Sequence, residues 1–236
     1  MGTLMDPINR RAMDMGVPLS VHIDPTWRCN ERCIHCYLDH GEADELSLSE
    51  LRELLDQMAD AGTLFLTLSG GEIFLRRDLF AIVEHARLRG FDIKLKTNAI
   101  LIGEKEAARI AELGVHQVQI SVYSHGPQVH DAITKVPGSL ERTLRAVGLL
   151  RAHCVHVVIA CVLMKPNIGD FDGLQNLSRP GLAYMEGSMY GPSSADCEKW
   201  FVRTGIPSAG MRLGASARPP SGLVQIAGIT ASALHA

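Results

Sequence analysis

Three cysteines are spaced so that they could build a reactive metal centre. Cys29, Cys33 and Cys36 form the run Cys-Asn-Glu-Arg-Cys-Ile-His-Cys, a CxxxCxxC pattern with no fourth cysteine nearby. Three thiolates can hold a cubane iron–sulfur cluster by three of its four irons and leave the last iron open to an outside ligand. A cluster used only for electron transfer normally has all four irons protected, so the pattern indicates chemistry at the open iron.

A second motif, Ser69-Gly70-Gly71-Glu72, follows directly on the apolar run Leu64–Leu68, which has the pattern of a short strand. The two glycines allow the backbone to approach a ligand without interference from a Cβ atom. The Glu72 carboxylate can accept hydrogen bonds from an ammonium group. We therefore expect these residues to bind a ligand next to the cysteine loop.

A structural zinc site is the alternative reading of the cysteine run. In that case His35 or His40 would be the fourth ligand beside the three thiolates. Zinc sites more usually pair their cysteines as CxxC, so the spacing favours the iron–sulfur cluster.

These motifs together resemble the radical S-adenosylmethionine (SAM) superfamily, in which the same cysteine spacing follows a first β-strand. The segment Leu19–Asp24 alternates apolar and polar residues as such a strand would, and the resemblance extends over roughly residues 19–178. It implies a [4Fe-4S] cluster held by Cys29, Cys33 and Cys36. It also implies SAM bound at the open iron and cleaved reductively to a 5′-deoxyadenosyl radical that abstracts hydrogen from the substrate.

The resemblance assigns SAM-binding roles to six further residues. Gly70, Gly71 and Glu72 match the motif that binds the methionine amino group. Asn98, in Thr97-Asn98, matches a segment lining the same cavity, although the family usually continues with glycine where this chain has Ala99. The last two are Ser121, which would reach the ribose hydroxyls, and Arg142, which would contact the SAM carboxylate.

Plainer readings remain open for several of these side chains. Ser121 could be a strand serine bonded to its neighbour, and Arg142 could be a solvated helix arginine with Arg145 one turn away. His35 lies where the family commonly places a planar side chain near adenine, but it could equally be a solvated loop histidine.

A later stretch narrows the resemblance to enzymes with SPASM extensions. His130-Asp131, followed by Lys-Val-Pro-Gly-Ser139, resembles a stretch of these enzymes, which modify peptides or proteins in sulfatase maturation, pyrroloquinoline-quinone biogenesis and thioether-peptide formation. We expect His125, His130 and Asp131 to lie on a loop after the fourth strand. The resemblance implies a peptide or protein substrate and a reducing partner such as flavodoxin or ferredoxin.

The chain departs from that family after the barrel. SPASM domains carry about seven further cysteines for auxiliary clusters, whereas this sequence has only Cys197 after the barrel and therefore no CxxC in that region. The sequence thus predicts a member truncated before the SPASM domain, with cluster binding kept and turnover weakened or absent. A catalytically inactive metal- or peptide-binding remnant is the alternative function.

Regularly alternating elements would position these residues. Strands separated by helical segments of ten to fifteen residues indicate βαβ units and a parallel sheet, of which five are countable before residue 180. Among the predicted helices, one is capped by Ser47 with Glu50, one by Ser139, and one begins near Asp170. The resemblance implies an α/β fold, a partial (β/α)6 TIM-like barrel that is incomplete at its C-terminal end. Its chemistry would lie at the C-terminal ends of the strands.

The domain prediction is an N-terminal extension (residues 1–18), the partial barrel (19–179) and an irregular tail (180–236). The tail is rich in Pro, Gly, Ser and Ala, and a sixth barrel strand within it is doubtful. Cys197–Val202 and Leu223–Ile226 are candidates for short local strands. A disordered tail, or residues read in a wrong frame, fits this composition better than a substrate-handling segment.

Composition limits the other partners. The net charge of -3 argues against a nucleic-acid partner held by bulk electrostatics, and 46% hydrophobic residues suffice for a proper core. We expect no membrane span and no signal peptide. The expected location is therefore the cytoplasm, and the six cysteines, which show no disulfide-scaffold spacing, do not contradict it.

Overall fold

The computed structural model of the chain describes residues 5–38, 44–178, 183–189 and 223–226. Its centre is one parallel sheet whose spatial order is β6-β5-β4-β3-β2-β1-β7. The seven strands are β1 (Ser20–Thr26), β2 (Phe65–Gly70), β3 (Asp92–Thr97), β4 (Gln117–Ser121), β5 (Val157–Leu163), β6 (Ala183–Met189) and β7 (Leu223–Ile226).

Helices connect consecutive strands and cover the sheet. They are α1 (Met5–Asp14), α2 (Leu48–Ala61), α3 (Leu79–Leu88), α4 (Glu104–Glu112), α5 (Pro127–Thr134), α6 (Ser139–Ala152) and α7 (Phe171–Ser178), with 3-10 turns at Ile73–Leu75 and Ile168–Asp170. From β1 to β6, strands that are consecutive in the sequence are also neighbours in the sheet, as expected of a barrel wall. The predicted α/β fold, a partial barrel of parallel strands, is confirmed.

The local signals read from the sequence account for several element ends. At the start of α2, the Ser47 hydroxyl accepts from the Glu50 amide (3.3 Å) and the Glu50 carboxylate accepts from the Ser47 amide (2.8 Å), the predicted capping box. At its end, Gly62 adopts a left-handed conformation with φ of +100°.

The two faces of the sheet differ sharply. On one face, strand residues such as Val21, Leu66, Leu68, Ile93 and Leu95 are buried beneath the helices. The opposite face of these strands carries half-buried polar side chains, namely His22, Asp24, Thr67, Lys94 and Lys96. Parallel strands covered on both faces are usually apolar throughout, so the polar face is suited to line a ligand cavity.

Two elements differ from the expectations. His130 and Asp131 lie on helix α5 and not on a loop, and α5 begins with Pro127 at its first turn. Ser139 does not cap α6: the N-cap residue is Gly138, and Ser139 is the first helical residue. The acceptor that a cap would provide comes instead from Asp131.

Within the predicted tail, two strands are described. β6 pairs with β5, so the doubtful sixth strand is present, and β7 coincides with the predicted piece Leu223–Ile226 and pairs with β1. Cys197–Val202 lies outside the described residues. The domain division itself stays a prediction. Among the described residues, we find no helix both long and apolar enough to cross a membrane.

Candidate functional site

The three-cysteine loop follows β1 and is attached to the end of α5. The Arg32 amide donates to the Thr134 carbonyl and the Ile34 amide donates to the Ile133 carbonyl, each at 3.0 Å. A further backbone bond closes the loop, from the Cys36 amide to the Cys33 carbonyl at 3.0 Å. The thiols of Cys29 and Cys33 are partly buried and that of Cys36 is exposed, and none is in a disulfide.

The environment of the thiols fits a cationic metal centre. Burial raises the pKa of Cys29 to about 11 and raises that of Cys33 well above its ordinary value. As thiolates these sulfurs therefore need a compensating positive charge, which bound iron provides. Across the described ranges, no three His, Cys, Asp or Glu side chains are gathered so as to hold a single metal ion. His40, one of the two candidate fourth ligands of a zinc site, lies outside the described residues.

The Gly70-Gly71-Glu72 segment lies directly against the start of the cysteine loop. The Gly71 amide donates to the Thr26 carbonyl (2.9 Å) and the Glu72 amide to the Arg28 carbonyl (2.8 Å). A Cβ atom on Gly71 would lie 2.1 Å from the Arg28 carbonyl oxygen. The glycines are therefore needed first for the close contact between these two loops.

Glu72 joins three segments of the site. Its carboxylate is fully buried and accepts from the Phe74 amide (3.1 Å), the Thr97 hydroxyl (2.8 Å) and the Asn98 amide (2.8 Å). Burial raises the pKa of Glu72, and these three hydrogen bonds oppose that effect. The carboxylate thus holds the end of β3 against the loop that follows β2.

Asn98 is brought beside the first cysteine. Its side-chain amide donates to the Asn30 side-chain oxygen at 2.7 Å and lies 4.0 Å from the Cys29 sulfur. The next residue, Ala99, has φ of +64° and is fully buried. Glycine adopts this left-handed conformation most easily, which explains why the family pattern has glycine where this chain has alanine.

The remaining two predicted residues, Ser121 and Arg142, lie on different elements: Ser121 on β4 and Arg142 on α6. Ser121 is the last residue of β4 and is partly buried. Arg142, on the first turn of α6, donates to the Gly138 carbonyl (3.1 Å) and the Pro137 carbonyl (3.3 Å). Its guanidinium also acts electrostatically on the buried Glu31 carboxyl of the cysteine loop. The structure therefore brings Arg142 towards the cysteines without burying it.

Two residues that the sequence did not single out belong to this site. Glu31 is 3% exposed, and its carboxylate accepts from the Cys33 thiol at 3.3 Å. Burial raises the pKa of Glu31 to about 7. Tyr123 is buried, and its ring packs against that of His35 in the cysteine loop. Neither has a sequence signal, because their burial results from loops folding over one another.

The histidines near the site have distinct surroundings. The His35 ring packs edge-on against Tyr123 with centroids 4.7 Å apart, and burial lowers its pKa. His130 is fully buried and its Nδ1 accepts from the Tyr123 amide at 3.1 Å. His125 lies against α7 so closely that a Cβ atom on Gly173 would be 2.1 Å from its Nδ1.

Comparison with known proteins identifies the class. Residues 23–177 match the radical SAM superfamily, and the chain belongs to it. The chain is thus placed in the radical SAM class of enzymes, and its cofactors are those of the class, a [4Fe-4S] cluster and S-adenosylmethionine.

Individual relatives give more detail. The chain is 27% identical over 189 residues to the mycofactocin maturase MftC of Mycobacterium ulcerans (strain Agy99), a match covering 79% of this chain and 51% of that protein. It is 28% identical over 172 residues to the AdoMet-dependent heme synthase of Nitratidesulfovibrio vulgaris (strain Hildenborough), covering 71% of this chain and 47% of that protein. The chain therefore spans about half the length of the curated relatives it matches.

Solved structures share the fold. SuiB of Streptococcus suis bound to S-adenosylmethionine superposes with a TM-score of 0.70 at 16% identity, covering 84% of this chain and 50% of that one. Native anSMEcpe with bound AdoMet superposes with a TM-score of 0.60 at 18% identity, covering 75% of this chain and 55% of that one.

Proposed function

We propose that this chain contains the cluster- and SAM-binding part of a radical SAM enzyme that modifies a peptide or protein. The observation that carries the proposal is the meeting of three segments at one edge of the sheet. The cysteine loop and the Gly70–Glu72 segment are bonded to each other, and Glu72 holds Asn98 next to Cys29. All three follow C-terminal ends of neighbouring strands, where barrel enzymes place their chemistry.

In this proposal Cys29, Cys33 and Cys36 ligate the cluster through their thiolates. When bound, the cluster would provide the one-electron reduction that splits SAM into methionine and the radical used for hydrogen abstraction from the substrate. The chain contributes the bonds from Arg32 and Ile34 to α5, which fix the cysteine loop before the cluster is bound.

The SAM site is formed by Gly70, Gly71, Glu72, Asn98, Ser121 and Arg142. Because Glu72 is fully buried and already accepts three hydrogen bonds, we infer that it acts by holding the loop, so that the backbone of Gly70 and Gly71 meets the methionine amino group. Arg142 is exposed and offers a guanidinium to the SAM carboxylate. The Ser121 hydroxyl contacts the ribose.

A peptide or protein substrate is supported by the relatives. MftC is named a maturase, and SuiB has been solved bound to its precursor peptide SuiA. The polar face of β1–β3, with His22, Thr67 and Lys94, provides hydrogen-bonding groups suited to a peptide. A reducing partner such as flavodoxin or ferredoxin stays a prediction.

The test is SAM cleavage by the chain after anaerobic reconstitution with iron and sulfide. We expect about four irons per chain and, in keeping with the weakened turnover predicted from the sequence, slow release of 5′-deoxyadenosine on reduction. The variant Cys33→Ala should lose both, while Cys154→Ala, which removes an exposed free thiol outside the loop, should retain both.

Two results would contradict the proposal. Unchanged 5′-deoxyadenosine release by Cys33→Ala would remove the cysteine loop from the chemistry. A fully loaded chain that releases no 5′-deoxyadenosine would leave the inactive binding remnant as the function.

A further inference from the structure

The part of the chain that carries the three cysteines leaves the sheet at the end of β1 and returns just before α2. Both ends of this cysteine segment, residues 25–46, are bonded to one buried side chain. Arg76 Nη1 donates to the Pro25 carbonyl at 2.8 Å and to the Leu46 carbonyl at 3.0 Å. A single nitrogen thus closes the base of the cysteine segment.

Arg76 is itself held from the other side. Its Nε and Nη2 donate to the two carboxylate oxygens of Asp78, at 2.9 and 2.7 Å, and Asp78 is the N-cap residue of α3. Two-point hydrogen bonds between a guanidinium and a carboxylate are among the stronger ones in proteins. The Arg76 side chain is only 5% exposed. The start of α3 therefore fixes the guanidinium, and the cysteine segment is bonded to it.

A second contact joins the two ends of the segment nearer the surface. The Glu45 carboxylate accepts from the Thr26 hydroxyl and from Arg28 Nε and Nη2, the last two at 2.8 and 3.1 Å. It also lies 3.6 Å from Arg76 Nη1. The Arg28 side chain is 57% exposed, so solvent weakens its ion pair. The buried bonds of Arg76 therefore contribute more to closing the base.

A closed base restricts the positions that the thiols can take. The segment is bonded to Arg76 at both ends and to α5 in its middle, through the Arg32 and Ile34 amides. Without the guanidinium, the Pro25 and Leu46 carbonyls would lose this donor, and the segment could open while the rest of the fold stays intact. Such local opening has its own free energy, smaller than that of global unfolding.

We propose that Arg76 is a positioning residue that holds the cysteine segment closed, so that its three thiolates retain the cluster. The proposal rests on the cluster assignment made under the proposed function. Iron can leave only when the thiolates separate, so the rate of iron release follows the population of the locally open segment. A lower free energy of opening therefore appears as faster loss of iron.

The test is iron release from the reconstituted full chain under anaerobic conditions, followed by absorbance with an excess of the ferrous chelator bathophenanthroline. Arg76→Lys keeps the charge, but an ammonium cannot bond Asp78 at two points and both carbonyls together. We expect about tenfold faster release, since bonds to a charged donor are lost. The matched control is Arg77→Lys, the same change at the adjacent exposed residue, and it should release iron at the wild-type rate.

A general loss of stability is distinguished by Ile110→Ala, which removes a fully buried side chain from α4. It should lower the urea midpoint and leave iron release unchanged under folding conditions. Hydrogen exchange of the Arg32, Ile34 and Cys36 amides should accelerate in Arg76→Lys and not in Ile110→Ala. Wild-type iron release by Arg76→Lys, or equal acceleration in Ile110→Ala, would overturn the inference.

A second variant keeps the inference testable if Arg76→Lys does not fold. Asp78→Asn leaves the guanidinium in place and weakens its anchor, so iron release should be faster than in the wild type. Release at the wild-type rate in Asp78→Asn would overturn the inference. A wild-type chain that takes up no cluster would instead refute the proposed function, so the two failures are distinguishable.

Discussion

At the scale of single residues, the candidate site depends on buried polar groups that are bonded to one another. Glu72 receives hydrogen bonds from Phe74, Thr97 and Asn98 in a position with no exposure. Such a group contributes mainly through the cost of leaving its partners unpaired. Replacing one carboxylate oxygen of Glu72 should therefore weaken the hydrogen bonds that hold the loop after β2 against the end of β3.

We predict that Glu72→Gln destabilises the fold by about 2 kcal/mol, because its amide places a donor against the donating amides of Phe74 or Asn98. Urea unfolding measures the change. Glu50→Gln, at the exposed capping box of α2, is the control and keeps an acceptor for the Ser47 amide. Equal midpoints for Glu72→Gln and the wild type would show that the carboxylate does not hold the loop.

His130 predicts a pH dependence of stability. Burial lowers its pKa to about 4, with Asp131 acting in the opposite direction. As the pH falls below about 6.5, His130 becomes protonated in the unfolded chain. In the folded chain the same imidazole stays neutral until about pH 4. The free energy of unfolding should thus decrease across this interval, by up to about 3 kcal/mol from this group.

The variant His130→Asn keeps an acceptor for the Tyr123 amide but does not titrate. We expect it to be less stable than the wild type at pH 7 and to show a flatter dependence between pH 4 and 6.5. Urea unfolding at a series of pH values measures both. Parallel pH profiles for the two proteins would assign the acid sensitivity to other groups.

At the scale of elements, α5 and α6 are joined by one carboxylate. Asp131 on α5 accepts from the Gly138 amide (2.6 Å), the Leu140 amide (3.0 Å) and the Ser139 hydroxyl (2.8 Å) at the start of α6. Burial alone would raise the pKa of Asp131, but these bonds lower it. The carboxylate replaces the missing side-chain cap and also faces the positive end of the helix.

We predict that Asp131→Ala costs about 1–2 kcal/mol of stability, because three donors lose their acceptor. The control Glu141→Gln removes a first-turn charge at an exposed position and should cost about 0.5 kcal/mol or less. Thermal unfolding of the variants compares them. A loss in Asp131→Ala no larger than that of the control would mean that α6 does not depend on this cap.

The sequence signals for most elements were strong, and the exceptions have physical reasons. Ser47 and Gly62 marked the ends of α2 because caps act within one turn. The cap of α6 has no local sequence signal, because the acceptor is the carboxylate of Asp131 on a different helix. The sequence predicts a loop in place of helix α5 because Ser-His-Gly-Pro before it resembles a turn. Strand β6 is doubtful from the sequence because it lies in a segment rich in Pro, Gly, Ser and Ala.

At the scale of the whole molecule, the order of strands explains why distant motifs meet. β1, β2, β3 and β4 are adjacent and parallel, so the segments after their C-terminal ends lie along one edge. That convergence was predictable from alternating strands and helices. The buried contacts of Glu31 and Tyr123 were not, because they depend on how α5 packs under the cysteine loop.

The central claim is a cluster held at three irons by this chain, with its fourth iron open to SAM. Mössbauer spectroscopy of the chain loaded anaerobically with iron-57 tests it most directly, because it resolves the irons of one cluster. We predict a [4Fe-4S] signal in which one iron differs from the others and changes when SAM is added, and its loss in a Cys29→Ala, Cys33→Ala, Cys36→Ala triple variant. A signal unaltered by SAM, or an identical cluster in the triple variant, would contradict the account.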